Sequence, residues 1–375
     1  MQVVAATQAA AGHLPLNAVV DKLVRKQDWA AVINLLTQVR ETFTDEKTRE
    51  AVTMDIAAMY GKQWKWEDAG AQYASILASN PNNVDAIYGI SICQLHLGQI
   101  VAGFSNYGYR WSQPEMLPQY QFMCKQGVPY LDAWSKIDGK RIFVSNEQGL
   151  GDEIMFSRVL AEASKVAESI HKLIPEALLE FFSFNLPAVQ LMSEKLSTLP
   201  QGFIANNADY IVSVGDLFRL YVAHFHSLPP VTHYRAADPV QLSPTGKPRI
   251  GFVSSAGTNG DTWMHRNVPE GVFKGLTGQF DMYHLNPGAT TPKWACDLPF
   301  GIRNFMDTAD IVAGLDAVVS VDTSVAHLAA SLGKTTVLVY DKYLDWRFKV
   351  AMWPEVKLIS MNSGNFRKAL IGALT

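Results

Sequence analysis

The sequence predicts an α/β chain with an all-α repeat segment in front of it, on three observations. The first third repeats a helical pattern every 33 to 38 residues. From Lys140 onward, apolar runs of strand length alternate with helical runs. A polar stretch with two prolines, Asp238 to Lys247, then divides that alternating region in two. These observations give helical repeats over 1–125 and two doubly wound, Rossmann-like α/β domains over 126–245 and 246–375, with a cleft between them.

The repeats come first. Asp28-Trp29-Ala30-Ala31, Trp66-Glu67-Asp68-Ala69 and Gln99-Ile100-Val101-Ala102 resemble one another. Their matching alanines, Ala31, Ala69 and Ala102, are 38 and 33 residues apart, close to the tetratricopeptide period of about 34. Asn80-Pro81-Asn82-Asn83 ends one helix and starts the next, while Ala86, Gly89 and Gly98 are small enough for helices to pack closely. Such arrays bind protein partners on a concave face. Here the array is expected either to bind a partner or to brace the α/β region. Tyr109-Arg110-Trp111 closes it, and a loop with Pro114, Pro118 and Pro129 leads to Trp134.

The first α/β block opens with the strand Arg141 to Ser145, the loop Asn146-Glu147-Gln148-Gly149-Leu150-Gly151 and a helical run from Ile154 to about Val166. Gly149 and Gly151 permit a tight turn and close approach of a ligand. Asp152 stands at the helix start, where a carboxylate serves as a cap or as a catalytic base. The dinucleotide fingerprint Gly-x-Gly-x-x-Gly is absent, so a nicotinamide site is not expected. Strands at Ser169 to Ile174 and Tyr210 to Val214 come next, with a helix opening at Pro175-Glu176.

The second block restarts at the strand Arg249 to Ser254, with a Ser254-Ser255-Ala256-Gly257 turn after it. Further strands are expected at Met282 to Leu285, Ala317 to Val321 and Thr335 to Tyr340, with a helix from Asp307 to Leu315. The most informative stretch is Asp322-Thr323-Ser324-Val325-Ala326-His327. It joins a strand to a small-residue helix that stops at Gly333. Thr323 or Ser324 is expected to cap that helix, whose free N–H groups attract an anion, most often a phosphate. Thr323 and His327, four residues apart, share one face of it. His327 reads equally as a buried core histidine.

Composition bounds the classes. At 375 residues there is room for two or three domains, and 48% hydrophobic with 18% charged residues suits a cored globular chain rather than a disordered one. A net charge of −3 argues against a broad nucleic-acid surface and leaves room for a local basic groove. Cys93, Cys124 and Cys296 are too sparse for a disulfide framework or zinc spacing, which points to a reducing, cytoplasmic compartment. Met1 to Ala11 is apolar but short and lacks a basic start, so neither a signal peptide nor a membrane span is expected. His224, His226 and His233 lack Cys or carboxylate partners at ligand spacing and read as surface or core histidines.

In combination these motifs look familiar. The chain has a repeat array, Tyr-x-Arg-Trp, Glu-Gln-Gly-Leu-Gly-Asp, Asp-Thr-Ala-Asp-x-x-Ala-x-Leu-Asp, Ser-Val-Asp-Thr-Ser-Val-Ala-His-Leu-Ala and Asp-Trp-Arg. From Asp28 to Phe348 it resembles the bacterial tetratricopeptide glycosyltransferases related to family nine, the heptosyltransferase family. The resemblance implies a GT-B fold, a nucleotide-sugar donor, inverting transfer to an acceptor hydroxyl, and neither a cofactor nor an obligatory metal. The chain has no Asp-x-Asp metal motif. By the same resemblance Asp152 is the general base, near an acceptor loop of Gln148, Gly149 and Gly151. Ser255, Gly257, Arg266, Asp322, Thr323, Ser324 and His327 hold the donor, with Arg266 facing the leaving diphosphate. The chain departs from the family pattern at Ser254-Ser255-Ala256-Gly257, where relatives often have Trp-x-Gly, and at Phe348, where a second Trp is usual. The donor's identity therefore stays open, as does the acceptor: a protein, a glycan or a modified nucleobase. Two other functional readings remain: a repeat-based adaptor with a degenerate α/β part, and a nucleotide-sugar epimerase of the same architecture.

Overall fold

The computed structural model describes residues 16–147, 149–242, 245–256, 266–286, 290–342, 344–349 and 352–375. The candidate site residues Gln148 and Gly257 lie outside them, as does the 258–263 loop. The chain forms two compact units, Met1–Tyr120 and Gln121–Thr375.

The first unit is helical: α1 (Leu16–Arg25), α2 (Trp29–Arg40), α3 (Glu46–Lys62), α4 (Trp66–Ser79), α5 (Val84–His96) and α6 (Ile100–Tyr107). Each packs on the next in sequence. Side chains of Asp28, Asp45 and Asn83 cap α2, α3 and α5 by accepting from Ala31, Thr48 and Ala86 N–H groups. The turns before α2, α4 and α6 recur: Gln27, Trp64 and Gly98 all take left-handed backbone angles, 37 and 34 residues apart. At Gly89 an added Cβ would fall 2.4 Å from the Tyr73 ring, so the close α4–α5 contact requires glycine. The Tyr-x-Arg-Trp signature has a packing explanation here. Arg110 is buried in a 3-10 turn, Gly108–Ser112, with its guanidinium 4.7 Å from the Tyr107 ring and 4.6 Å from the Trp111 ring.

Between 112 and 134, read from the sequence as loop, the structure has the helix α7 (Leu117–Cys124). Pro118 is its second residue, where no intrahelical N–H is needed, so the proline does not forbid it.

The second unit holds two all-parallel sheets. The first contains β1 (Arg141–Ser145), β2 (Ser169–Leu173), β3 (Gln190–Met192) and β4 (Tyr210–Ser213), in the order β3-β2-β1-β4. Its helices are α8 (Leu150–Phe156), α9 (Arg158–Ala163), α10 (Glu176–Asn185), α11 (Phe203–Asn207) and α12 (Val214–Phe225). The single helix expected from Ile154 to Val166 is two. It starts four residues earlier, because the capping arrangement at Gly149 opens α8 at Leu150, and it is split at Ser157.

The second sheet contains β5 (Arg249–Val253), β6 (Asp281–His284), β7 (Ala317–Ser320), β8 (Thr335–Tyr340) and β9 (Lys357–Ser360), in the order β6-β5-β7-β8-β9. With it go α13 (Glu270–Lys274), α14 (Phe305–Gly314), α15 (Ser324–Ser331), α16 (Trp346–Lys349) and α17 (Phe366–Leu374). Apolar clusters cover both faces, one built on Ile250, Phe252 and Val337, the other on Val253, Val318 and Val325. The architecture is thus α/β with an N-terminal helical segment, the fold class read from the sequence. No helix among the described residues is long and apolar enough to cross a membrane.

Strand order places the crevices. In the first sheet the chain runs outward from β1 through β2 to β3, then returns to β4 on the other side of β1. In the second it leaves β5 for β6, then returns to β7. These reversals are the switch points at which open α/β sheets bind ligands, beyond the strands' carboxyl ends. The loop after β1 lies at the first. The turns after β5 and β7 lie at the second.

Candidate active site

The β1–α8 loop is fixed from below by buried charge. Glu147 is buried and accepts from the Ser213 hydroxyl at 3.1 Å and from Gly215 N–H at 2.7 Å. Gly215 must be glycine, since an added Cβ would meet Glu147 Oε2 at 2.1 Å. Glu153 Oε1 accepts from Glu147 N–H at 2.5 Å, and Glu153 Oε2 pairs with Lys172 Nζ at 2.8 Å, both side chains fully buried. Burial pushes the Glu153 carboxyl up and the Lys172 amine down, while each charge works against that shift in the other.

Asp152 sits above this platform, in the first turn of α8. The residue at the cap position is Gly149, not Asp152: Asp152 Oδ2 reaches back to accept from Gly149 N–H at 3.2 Å. Its other oxygen, Oδ1, accepts from Arg347 Nε at 2.6 Å. Arg347 is 195 residues away in sequence and belongs to the other sheet's half.

Across from Asp152 is the start of α15. Thr323 stands at the cap position in extended backbone, but its side chain makes no capping bond. Its hydroxyl lies 2.9 Å from Ser320 Oγ instead. Of the two residues expected to cap the helix, Thr323 holds the cap position, through its backbone and not its side chain. Ser320 holds the Thr323 hydroxyl, and Ser324 is the helix's first residue.

The two halves meet where α8 faces α15. A Cβ on Gly151 would fall 2.9 Å from His327 Cδ2 and 3.6 Å from Ser324 Cα. His327 is 2% exposed, and burial pushes its pKa down to about 3, so the imidazole is neutral. Its Nδ1 accepts the Trp353 indole N–H at 2.8 Å, and Phe348 packs on the ring at 4.5 Å.

Arg266 is delivered by a short backbone bridge. Ser255 pairs with Asn267, and Val268 N–H donates to Ser254 O at 2.8 Å, which brings Arg266 to the end of β5. Asn286 braces the same turn, accepting from Ser254 N–H and donating to Ser255 O. Arg266 Nη2 lies 3.0 Å from Asp322 and 3.9 Å from Asp345. Arg347 Nη1 and its own backbone N–H both reach Asp345 Oδ1 at 3.0 Å. The result is a row of alternating charge: Asp152, Arg347, Asp345, Arg266, Asp322. Burial and the neighbouring Asp345 push Asp322 up to about 6, against the pull of Arg266 and Arg347.

The structure thus brings together Gly149, Gly151, Asp152, Ser255, Arg266, Asp322, Thr323, Ser324 and His327. It adds Asp345, Arg347 and Trp353. The Asp345-Trp346-Arg347 segment serves both packing and the site, since Arg347 also lies 4.8 Å over the Trp346 ring. Trp353 leaves no sequence signal beyond its size. His224, His226 and His233 are exposed. Among the described residues no three His, Cys, Asp or Glu side chains are grouped to hold a metal ion.

Residues 300–365 match glycosyltransferase family 9 (heptosyltransferase). That stretch carries β7, α15, β8 and α16, hence Asp322 to His327 and Asp345 to Arg347. The relation supports a nucleotide-sugar glycosyltransferase. No curated protein matches the chain. Among solved structures, a glycosyl transferase family 9 protein from Veillonella parvula is 12% identical, covering 63% of this chain and 96% of that one, with TM-score 0.43. The E. coli heptosyltransferase WaaC with ADP is 13% identical, covering 62% and 98%, with TM-score 0.47. A Thermobaculum terrenum O-GlcNAc transferase is 10% identical, covering 100% and 90%, with TM-score 0.32.

Proposed function

We propose that the chain is an inverting, metal-independent glycosyltransferase that moves a sugar from a nucleotide-sugar donor to an acceptor hydroxyl. One observation carries the reading: α8, which bears Asp152, meets the start of α15 at Gly151, where an added Cβ would lie 2.9 Å from His327 Cδ2 and 3.6 Å from Ser324 Cα, and each helix opens at the switch point of its own sheet. The donor's diphosphate lies over the N–H groups of Ser324 and its neighbours, where the helix dipole favours negative charge. Asp152 faces the acceptor. As the acceptor oxygen bonds to the sugar carbon, its proton passes to Asp152 and the bond to the diphosphate breaks with its electron pair. Arg266 neutralises the charge that gathers on the leaving group, a task that a metal performs in other enzymes. Attack from one side and departure on the other invert the sugar carbon. An adaptor with a relic site has no use for such an arrangement.

The test is a thermal-shift screen of nucleoside-diphosphate sugars. A donor that binds only the native state raises the melting temperature, at 100 times its Kd by the equivalent of about 2.7 kcal/mol. The stabilising donor is then incubated with the protein and the anomeric configuration of released sugar is read by NMR. Stabilisation followed by an inverted product supports the proposal. No stabilisation by any donor overturns it, and a donor isomerised without release favours the epimerase.

A further inference from the structure

The row of charges has an unusual feature for a phosphate site: its two guanidiniums are already occupied by three carboxylates. Within this row Arg347 joins one half to the other, with Nε on Asp152 at 2.6 Å. Its Nη1 and backbone N–H also reach Asp345, within its own half. The Asp152 contact can therefore break while Asp345 keeps Arg347 anchored. The next two links, Asp345 to Arg266 and Arg266 to Asp322, lead directly to Thr323 and the start of α15.

We infer that Arg347 is an exchange residue, bound to Asp152 when the site is empty and to the donor's diphosphate when the site is filled. This rests on the glycosyltransferase reading above. A planar guanidinium matches phosphate oxygens as a fork, and a diphosphate carries more charge than a single carboxylate, so the donor wins the competition. Its departure leaves Asp152 Oδ1 open to an acceptor hydroxyl, while Oδ2 stays on Gly149 N–H. Binding of the donor thus releases the base. Before the donor arrives, Asp152 is masked. During transfer the proton goes to Asp152 and the electron pair leaves with the diphosphate, whose new charge Arg347 and Arg266 share. Asp152 consequently opposes donor binding in the empty enzyme, which is the reverse of what a simple base does.

A double-mutant cycle on nucleoside-diphosphate affinity tests this, with ADP, UDP and GDP as probes in titration calorimetry of the full chain. Asp152→Asn keeps the Gly149 contact and loosens Arg347. If the contact holds Arg347 away from phosphate about nine-tenths of the time, Asp152→Asn tightens binding of the best probe by about tenfold. In an Arg347→Met background the same change alters affinity less than about twofold, because there is no longer an exchange to relieve. Should Arg347→Met melt below the assay temperature, Arg347→Gln replaces it with the same expectation. Tightening that persists in the Arg347 background is plain charge repulsion and overturns the exchange. So does an unchanged affinity in Asp152→Asn. If none of the three probes binds the wild-type protein, the glycosyltransferase reading and the exchange fall together; binding with a flat cycle removes the exchange alone.

Discussion

Trp353 donates its indole N–H to His327 Nδ1 at 2.8 Å, so the neutral imidazole carries its proton on Nε2, the side facing Gly151. This bond fixes the ring that sits under the α8–α15 contact. Trp353→Phe removes the donor and leaves a buried nitrogen without it, at a cost of about 1–3 kcal/mol. Chemical denaturation checks this. A variant as stable as wild type would mean that the bond has no net worth.

His327 and Asp322 make opposite pH contributions. The imidazole, depressed from 6.5 to about 3, contributes stability that is present above 6.5 and lost as pH falls toward 3. The Asp322 carboxyl, raised from 3.8 to about 6, contributes stability that is present below 3.8 and lost as pH rises through 6. The two offset each other in the acid range. His327→Gln removes the first, so its melting temperature should rise, relative to wild type, on going from about pH 7 to about pH 5. Parallel pH profiles for the two proteins would contradict the assignment.

Arg266→Ala should weaken nucleoside-diphosphate binding by about 10-fold or more, the scale of a lost charge-assisted bond of about 1.5–3 kcal/mol. The same titrations should show proton uptake near pH 7, because an incoming anion raises Asp322 further above its value of about 6. Calorimetry in buffers of different ionisation enthalpy reads the proton count, and Asp322→Asn should abolish the uptake. Proton release on binding would contradict this account of the site.

Gly151→Ala would place a methyl 2.9 Å from His327 Cδ2, and His327 is held by Trp353 and Phe348. The ring cannot yield cheaply, so α8 must back away from α15. The expected outcome is a loss of turnover of about 10²-fold, as for a misplacement of about 1 Å between reacting groups, with the fold retained. Near-normal turnover would show that the two helices need not approach so closely.

Lys172→Met leaves the Glu153 carboxyl buried without its counter-charge, so that it must either stay ionised or take up a proton, at a cost of about 3–5 kcal/mol. Adding Glu153→Gln should restore much of that loss, since the uncompensated charge is gone. Urea unfolding of the single and double variants decides it. A double variant no more stable than the single would mean that packing, not charge, sets the cost.

The parts of the fold and site that are legible in the sequence are those whose signals are local. The β1–α8 and β7–α15 openings are readable because apolar strand, turn residue and small-residue helix lie side by side in sequence. The short strands β3 and β9 are not, since three or four partly exposed residues carry little alternation. Helix α7 is hidden by Pro118, which its first turn tolerates. In the site, Asp152, Arg266 and Asp322 stand out through their motifs. Their mutual arrangement does not, because Arg347 meets Asp152 across 195 residues and Trp353 meets His327 across 26. Nor does sequence reveal that Thr323 turns its hydroxyl to Ser320 and away from the helix cap.

On the proposed mechanism Asp152 accepts the proton while the donor departs over α15. The most direct measurement is nucleoside-diphosphate release from the stabilising donor, by wild type and by Asp152→Asn, with donor affinity measured on the same samples. The account predicts that Asp152→Asn slows release by roughly 10²-fold or more, the scale of a positioned general base, while the donor still binds at least as tightly. Release at the wild-type rate, with the fold intact, would contradict it and leave Asp152 as the partner of Gly149 and Arg347 alone.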